Sequence, residues 1–373
     1  MKKYFLYIIV IGIVSLSSCQ RYYNPGLNVK TLQDDTTQMA SEFEVLMRYI
    51  PNAGDYINSK GVPNMVDAED VEANLSRYLV IDLRKPADYI AGHINGAINV
   101  QMEELLNYLD EHVSASTFDK LIFTCYTGQK ASYVTSVLRI IGYDNAYAMK
   151  LGMTAWNKSL DKWSSNVSSK YANALEITPN YKTKTYKYPE INTGQHCGAE
   201  ILEARAKTLF NTPFEKLLID ADRAFSDTSF YIVNYWPEDK YEKGHIPGAV
   251  QYTPKVDLKP DTYLKTLPSD RKILVYCFTG QNAAFTVAYL RLLGYNAFSL
   301  KFGANGFMYS TLKSRQGWHA FDPAEKVHDF ELVEGANPTD EKFEMKLNEA
   351  KKGLTPKKPA VKGKKKEVEG GCG

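Results

Sequence analysis

Two short stretches of the chain repeat each other at an offset of 152 residues: Cys125-Tyr126-Thr127-Gly128-Gln129 and Cys277-Phe278-Thr279-Gly280-Gln281. Two further pairs of segments keep this offset, one pair upstream of the cysteines and one downstream: 92–97 with 244–249, and 138–143 with 290–295. Three blocks in register indicate an internal duplication, which fixes the domain count. The sequence therefore predicts two copies of one unit, each built around a cysteine.

Each copy alternates short apolar runs with segments of helical spacing. In the first copy these segments are, in order, 79–82, 96–100, 102–112, 121–124, 129–141 and 146–149. Short continuous apolar runs are typical of strands buried in a parallel sheet, and Gly142 and Gly294 predict left-handed ends for two of the helices. The repetition of strand, helix and strand predicts an α/β fold with two domains, each a parallel sheet flanked by helices.

Both loop cysteines lie between a predicted strand and a predicted helix. Active sites of open parallel sheets lie at this carboxyl edge. Backbone N–H groups of the loop and the helix N-terminus stabilise an anion there, so we expect a lowered thiol pKa and a favoured thiolate or persulfide. Gly128 and Gly280 allow the backbone to turn tightly around the sulfur. Cys125 and Cys277 are therefore candidate nucleophiles, and a buried structural cysteine is the alternative at each position.

Both copies resemble rhodanese domains, the sulfurtransferase family. In the first copy the resemblance rests on Ile81-Asp82-Leu83-Arg84, Asp88-Tyr89, residues 92–99, the loop from Cys125 to Lys130, Leu151-Gly152 and Trp156. It implies that the loop cysteine takes sulfane sulfur from a small donor such as thiosulfate, holds it as a persulfide and passes it to a thiol or another nucleophile. The resemblance implies no metal and no organic cofactor.

The two copies differ in charge around the cysteine. Lys130 can attract an anionic donor, and Asp82 and Arg84 match the Asp-x-Arg pattern of the family; the corresponding residues of the second copy are Asn282, Asn234 and Trp236. Loss of a cation beside an anion site weakens binding by about 1–3 kcal/mol. We therefore expect Cys125 to be the main catalyst, with Cys277 as a second candidate. The predicted substrate-binding residues are Arg84, Tyr126, Thr127, Gly128, Gln129 and Lys130.

Three classes of function fit these patterns. The first is a sulfurtransferase acting through a Cys125 persulfide, and the second is a non-catalytic tandem binding module. The third, a phosphatase or arsenate reductase, requires an arginine six positions after the cysteine, where Ala131 and Ala283 stand. A catalytic pair formed by the loop cysteine and a histidine is disfavoured. The Gly-His-Ile turns around His93 and His245 favour a structural hydrogen-bonding role for these histidines.

The N-terminus predicts export and a lipid anchor. Lys2 and Lys3 precede an apolar run over residues 4–14, followed by Leu16-Ser17-Ser18-Cys19. This pattern is typical of a cleaved signal, and its ending resembles the lipobox of bacterial lipoproteins. We expect acylation of Cys19, membrane contact through that lipid, and a location in the bacterial cell envelope. Gln20 favours the outer membrane, facing the periplasm.

Charge and composition set the remaining boundaries. The formal net charge of +2 arises in the tail, where eight lysines face two glutamates from Lys351 onward; the rest is mildly acidic, which disfavours a nucleic-acid partner. The sequence does not specify a protein partner. Because the two repeated cysteines occupy loops, no disulfide framework is expected. The predicted divisions are a signal peptide (1–19), a spacer (20–39), rhodanese-like domain 1 (40–161), a linker (162–193), rhodanese-like domain 2 (194–312), a C-terminal extension (313–350) and a disordered Lys-rich tail (351–373).

Overall fold

A computed structural model describes residues 40–113 and 118–338. Cys19, Cys372, the predicted signal peptide and the Lys-rich tail lie outside these residues. The first unit comprises, in order, α1 (Glu42–Asn52), β1 (Met65–Val66), α2 (Ala68–Glu72), β2 (Tyr78–Asp82), α3 (Pro86–Ile90), β3 (Ile98–Asn99), α4 (Leu105–His112), β4 (Lys120–Thr124), α5 (Gln129–Ile140), β5 (Ala146–Met149) and α6 (Met153–Trp156).

The second unit repeats this order of elements, except that its described residues 252–271, between its third and fourth strands, form no α-helix equivalent to α4. It comprises α7 (Gly198–Phe210), β6 (Leu218–Ile219), α8 (Ala221–Ser226), β7 (Phe230–Asn234), α9 (Glu238–Tyr241), β8 (Val250–Gln251), β9 (Lys272–Tyr276), α10 (Gln281–Leu292), β10 (Ala297–Leu300) and α11 (Tyr309–Lys313), and α12 (Pro323–Lys326) follows it. The two sheets have equivalent strand orders, β1-β5-β4-β2-β3 and β6-β10-β9-β7-β8, and every neighbouring pair is parallel. The predicted α/β fold of two duplicated parallel sheets is confirmed.

The helices that follow the two cysteine loops bring the units together. Helices α5 and α10 share the most extensive contact between elements, and Ser136 Oγ donates to the Phe285 carbonyl oxygen across it at 2.8 Å. Nearly every side chain of these helices is buried, because one face covers its own sheet and the opposite face covers the other helix. One continuous hydrophobic core therefore spans both units.

Helix ends follow the sequence signals. Helix α5 ends at Ile140, and Gly142 has a φ of +109°, while Gly294 after α10 has a φ of +91°. Both values lie in the region that glycine adopts without strain. At the start of α1, Ser41 and Glu44 form a capping box, with the Ser41 hydroxyl accepting from the Glu44 N–H. The predicted left-handed helix ends are confirmed.

The segments after the two units pack on the opposite unit. The first strap, residues 164–186, lies across the second unit, where Glu176 pairs with His245 and Asn180 with Val250. The second strap, residues 319–337, returns to the first unit, where Val333 pairs with His93. The described parts of the predicted linker and extension thus cover the opposite unit at equivalent positions of the two copies, a role that their mixed polar composition did not indicate.

Cysteine usage corrects one expectation. Cys197, the N-cap residue of α7, is disulfide-bonded, a crosslink that the sequence analysis, which expected no disulfide framework, did not predict. Cys125 and Cys277 are free thiols, which leaves both available for chemistry.

Candidate active site

The first cysteine loop surrounds its sulfur with backbone. Strand β4 ends at Thr124, the loop turns at Gly128 with a φ of +83°, and α5 begins at Gln129. The Gly128 N–H donates to Cys125 Sγ at 3.2 Å. The sulfur therefore lies at the helix N-terminus at the carboxyl edge of the sheet, as predicted, where an added anionic sulfur would meet N–H donors.

A second glycine holds this loop in place. Gly152 follows β5 with a φ of +60°, and a Cβ there would collide with the carbonyl oxygen of Cys125. That oxygen accepts a hydrogen bond from the Met153 N–H at 2.7 Å. Gly303 has the equivalent place beside Cys277. The Leu151-Gly152 pair of the sequence pattern thus has a steric reason: only glycine permits the segment to approach the cysteine backbone so closely.

The predicted fall in thiol pKa is not what the surroundings produce. Cys125 is 6% exposed, and this burial raises the pKa of its thiol, while the N–H groups of Ala131, Thr127 and Gly128 and the charge of Lys130 lower it only in part. Burial disfavours the charged form of any acid. The sequence identified the groups that stabilise an anion, but it did not show how deeply the sulfur is buried. Burial has the larger effect on the pKa of the Cys125 thiol.

Lys130 is paired with a residue of the second unit. Its Nζ lies 2.8 Å from Glu215 Oε1. Partial burial acts to raise the pKa of Glu215, but the hydrogen bond from Lys130 lowers it overall. Lys130 still favours the Cys125 thiolate electrostatically, yet an anionic donor must share this cation with Glu215. The cation predicted for donor binding is present, with a carboxylate competitor that the sequence pattern did not reveal.

Arg84 lies beneath the loop. Its guanidinium pairs with Asp82 at 2.7 Å and donates to the Gly92 carbonyl oxygen at 2.7 Å, and its Cζ lies 5.2 Å from the centre of the Tyr126 ring. Burial acts to lower the pKa of Arg84, but Asp82 raises it overall. Arg84 is 3% exposed, so its contacts with Asp82 and Tyr126 are made inside the fold rather than at the protein surface.

Gln129 extends away from Cys125. Its amide nitrogen donates to the Leu300 carbonyl oxygen at 3.1 Å, and its amide oxygen accepts from the Phe302 N–H at 2.9 Å. In the reverse direction, the Gln281 amide oxygen accepts from the Leu151 N–H at 3.2 Å. Each glutamine thus reaches the segment that backs the other cysteine loop. Gln129 was predicted to bind the sulfur donor. Its side chain instead forms hydrogen bonds with Leu300 and Phe302 of the second unit.

The remaining loop residues and the histidines have distinct places. The Thr127 carbonyl oxygen accepts a hydrogen bond from the Trp163 indole N–H at 3.2 Å. Tyr126 is half-buried. His93 Nδ1 lies 2.9 Å from the Tyr89 carbonyl oxygen, its ring stacks on Tyr89, and burial lowers its pKa. His245 repeats this arrangement on Tyr241, so the predicted structural role of both histidines is confirmed.

The second cysteine loop keeps the backbone and changes the side chains. Cys277 Sγ accepts from the Ala283 N–H at 3.3 Å, and the residue is 3% exposed. Burial raises the pKa of this thiol, and backbone N–H groups alone oppose it. At the position of the buried ion pair, Asn234 donates to the Tyr276 hydroxyl at 2.7 Å and Trp236 packs against Phe278. No cation of the loop compensates for burial here.

A cleft of about 880 Å³ opens beside Cys277. It runs between the units, with walls from the first unit, from the second cysteine loop and from the second strap. Cys277, Phe278 and Trp236 line one side, and Asp67, Glu69 and Lys150 line another. This cleft was not expected from the sequence, since its walls come from segments far apart in the chain.

No group of three or more histidine, cysteine, aspartate or glutamate side chains within 40–113 and 118–338 is arranged to hold a metal ion. None of the helices in the described part of the chain combines the length and apolar character needed to cross a membrane.

Comparison with known proteins gives the family. The profile of the Rhodanese-like domain matches residues 67–159 and 211–309, about half of the chain. The chain belongs to the rhodanese-like family. Both matched segments of the rhodanese-like chain contain a cysteine loop, so the repeat found in the sequence corresponds to two family domains.

Named relatives of this rhodanese-like protein are sulfurtransferases. Thiosulfate sulfurtransferase GlpE of Pseudoalteromonas translucida is 31% identical over 93 residues, covering 25% of this chain and 78% of the relative. The GlpE of Shewanella oneidensis is 28% identical over 80 residues, covering 21% of this chain and 76% of the relative. The chain is also similar to the crystal structure of SseA from Escherichia coli, described with the 3-mercaptopyruvate sulfotransferases. The two are 16% identical, the match covers 64% of this chain and 97% of SseA, and the TM-score is 0.24.

Proposed function

We propose that the protein is a sulfurtransferase that carries sulfane sulfur as a persulfide on Cys125. The observation that carries the proposal is the free Cys125 thiol at the N-terminus of α5, with the Gly128 N–H at 3.2 Å and Lys130 acting on the same sulfur. These groups stabilise negative charge where a persulfide would place it. Named relatives that act on thiosulfate support the choice of donor.

The proposed reaction has two transfers. The Cys125 thiolate attacks the outer sulfur of thiosulfate, the sulfur–sulfur bond of the donor breaks, and sulfite leaves with the electron pair. An acceptor thiolate then attacks the outer sulfur of the protonated persulfide. The bond to Cys125 breaks, its electron pair returns to Cys125 as thiolate, and the acceptor leaves as a hydropersulfide. The protein's residues bind the donor and stabilise the anions, and the thiol performs the covalent step.

Mass spectrometry tests this proposal directly. The described residues' two free thiols make a matched pair, so wild type, Cys125→Ser and Cys277→Ser are each incubated with thiosulfate and digested without reductant. The expected result is one added sulfur atom on the peptide containing Cys125 in wild type and in Cys277→Ser. Absence of added sulfur on that peptide with every sulfane donor tried would contradict the proposal.

A tandem binding module is the second candidate. It is favoured by the burial of both thiols and by the raised pKa of each, since a protonated, enclosed thiol reacts slowly. A thiosulfate-to-cyanide assay and a phosphatase assay separate the classes: failure of both favours the binding module. A phosphatase has the weakest support, because Ala131 occupies the position that its loop requires for arginine.

We further propose that Cys19 carries the lipid that anchors the protein at the cell envelope, on the side of the outer membrane facing the periplasm. The Leu-Ser-Ser-Cys ending of the apolar N-terminal segment supports this proposal. Cys19→Ala is expected to prevent acylation and to release the protein from the membrane fraction. Retention of the variant in that fraction, with no lipid label on the wild type, would instead favour an uncleaved anchor.

A further inference from the structure

We propose that the cleft beside Cys277 is a second site, selective for a neutral aromatic organic thiol and not for a small anion. The proposed function supplies the reason why a thiol would visit this cysteine, so that part of the inference rests on it. The selectivity for a neutral aromatic group rests on the walls of the cleft alone.

The wall next to Cys277 is aromatic. Trp236 and Phe278 line the cleft with ring centres 4.5 Å apart. Trp318 extends this cluster, 6.0 Å from Phe278 by ring centres, and His319 lies 5.3 Å from Phe278 on the cleft side. Contiguous aromatic surface beside a pocket favours ligands that bring an apolar ring, which gains from burial and from ring packing.

Polar atoms in this wall are unused. The indole N–H of Trp236 has no hydrogen-bond partner although the residue is 1% exposed, and Asn282 Oδ1 is also buried without one. A buried donor without a partner is costly and rare in folded proteins. Both atoms are buried, so the surface that this wall presents to a ligand is mainly aromatic.

The charges of the cleft are neutralised or lie at the solvent side. The carboxylates of Asp67 and Asp70 pair with Lys150 and Lys120, each at 2.7 Å. The Glu69 carboxylate lies at the solvent side, 57% exposed, with Oε1 3.1 Å from His328 Nε2. Lys326 is exposed to solvent, and burial lowers the pKa of His319, which favours its neutral form at pH 7. The wall at Cys277 therefore offers no cation comparable to Lys130 in the first loop.

The size of the cleft also argues against a small anion as its preferred occupant. A volume of about 880 Å³ lies within the range of roughly 300–1,000 Å³ typical of pockets for organic ligands. Thiosulfate would leave most of this space and the aromatic wall unoccupied. An aromatic thiol can place its ring between the units and its sulfur at Cys277.

The transfer at this site balances without a further reagent. A persulfide on Cys277, which forms from thiosulfate more slowly than on Cys125 because no cation of the loop attracts that anion, presents its outer sulfur to the bound thiolate, which attacks that sulfur. The sulfur–sulfur bond to Cys277 breaks, and its electron pair remains on Cys277 as thiolate. The outer sulfur and its proton leave on the ligand, which becomes an aromatic hydropersulfide.

Three methanethiosulfonate reagents with one reactive group test the selectivity without turnover. Benzyl, sulfonatoethyl and trimethylammonioethyl reagents are reacted with Cys125→Ser, where Cys277 is measured, and with Cys277→Ser, where Cys125 is measured. At Cys277 we expect the benzyl reagent to react about tenfold faster than the anionic one after correction for intrinsic reactivity, and the reverse order at Cys125. The same order at both cysteines, or no reaction of Cys277 with the benzyl reagent, would overturn the inference.

Matched exchanges between the two loops test the cause. In the Cys125→Ser background, Asn282→Lys is expected to lower the benzyl preference of Cys277 about tenfold by adding a cation. In the Cys277→Ser background, Lys130→Asn should raise the benzyl preference of Cys125. Thermal unfolding confirms that each variant folds. Trp236→Phe, which keeps a smaller aromatic ring at this position, provides a second test of the wall and should retain the aromatic preference. The assignment of an aromatic, uncharged wall at Cys277 would be contradicted if Trp236→Phe lost the benzyl preference while Asn282→Lys left that preference unchanged.

Turnover with thiosulfate and benzyl mercaptan, an aromatic thiol that is neutral near pH 7, separates this inference from the proposed function. If reagent selectivity holds and neither cysteine ever acquires sulfur, the aromatic site stands and the proposed function fails. If sulfur transfer occurs and the reagents show no selectivity at Cys277, this inference alone fails.

Discussion

The two cysteine loops share a backbone and differ in chemistry. In each, a strand ends at the cysteine, a glycine with positive φ turns the chain, and helix N–H groups meet the sulfur. Around that frame, Lys130 in the first copy becomes Asn282 in the second, and the buried Arg84 becomes Trp236. The backbone cradle is therefore a property of the fold, while the charge that a ligand meets is set by a few side chains around it.

The difference also shows where the copies support each other. Lys130 pairs with Glu215 of the second unit, and each loop glutamine is bonded behind the other loop. The first loop thus has a cation whose strength depends on its neighbour, and the second has an aromatic cleft whose floor belongs partly to its neighbour. Neither loop is a complete site within its own copy.

Removal of the Cys125 thiol has the largest expected effect on turnover, and removal of the Cys277 thiol is its matched comparison. Cys125→Ser should lower thiosulfate turnover at least about a hundredfold, because a serine hydroxyl cannot replace the thiolate nucleophile. Cys277→Ser should retain most turnover with thiosulfate. Steady-state rates of sulfite release measure both.

Equal losses in the two variants, or a larger loss for Cys277→Ser, would reverse the assignment of the main catalyst. Circular dichroism of both variants serves as the folding control, since each substitution changes one atom at a buried position.

Loss of the exchanged glutamines is the next largest effect. Gln129→Ala leaves the Phe302 N–H without its buried acceptor, which should lower the free energy of unfolding by about 1–3 kcal/mol. Gln281→Ala should act in the same direction through Leu151. Urea unfolding measures this change, with Gln316→Ala at an exposed position as the control. A loss no larger than that of Gln316→Ala would show that the exchange does not stabilise the pair.

The Lys130–Glu215 pair is expected to set the affinity of the first loop for thiosulfate. Lys130→Ala should raise the KM for thiosulfate, and Glu215→Gln should lower it by freeing the cation. Because Glu215 is largely exposed, each change should be about twofold to fivefold, the range of a screened ion pair. Asn282→Ala is the matched control and should leave this KM unchanged. A fall in KM for Lys130→Ala, or a rise for Glu215→Gln, would contradict the assigned role.

The smallest expected effect is a change in pH dependence. Burial raises the pKa of the Cys125 thiol and Lys130 partly opposes this rise, so the rate of alkylation by iodoacetamide should increase with pH past the usual thiol range. Lys130→Ala should move the inflection to higher pH. The unfolded chain loses the thiol proton at lower pH than the folded chain, so the stability contributed by this burial falls as pH rises. Alkylation rates measured in Cys277→Ser, from pH 6 to 10, check the direction; a shift to lower pH in Lys130→Ala would be inconsistent.

The sequence predicted what is periodic and local. The central strands and the helices α5 and α10 follow from apolar runs and glycine signals, and the position of Cys125 between β4 and α5 follows from their order. The short edge strands β1 and β6 were missed, because two residues carry no periodicity. A tandem repeat predicts copies, and it gives no rule for the contacts between them.

The missed parts of the site depend on those contacts. Gln129 and Gln281 stand at equivalent positions of both loops, which was a usable signal, although a role behind the other loop requires knowledge of how the copies pack. Glu215 and Trp163 had no such signal. The raised thiol pKa was also missed, since burial in the folded core is a tertiary effect that outweighs the local N–H groups.

The crossed straps have a consequence for how such a chain can evolve. Each copy leaves its covering on the other, so deletion of one copy would strip the Gly-His-Ile turn of the survivor, where His93 bonds to Val333 and His245 to Glu176. Loss of one copy would therefore expose backbone groups of the other that are paired in the tandem chain. Side chains around each cysteine remain free to diverge, because the crossing is made by backbone. Such a chain can acquire a new specificity in one half while the other half maintains the original chemistry.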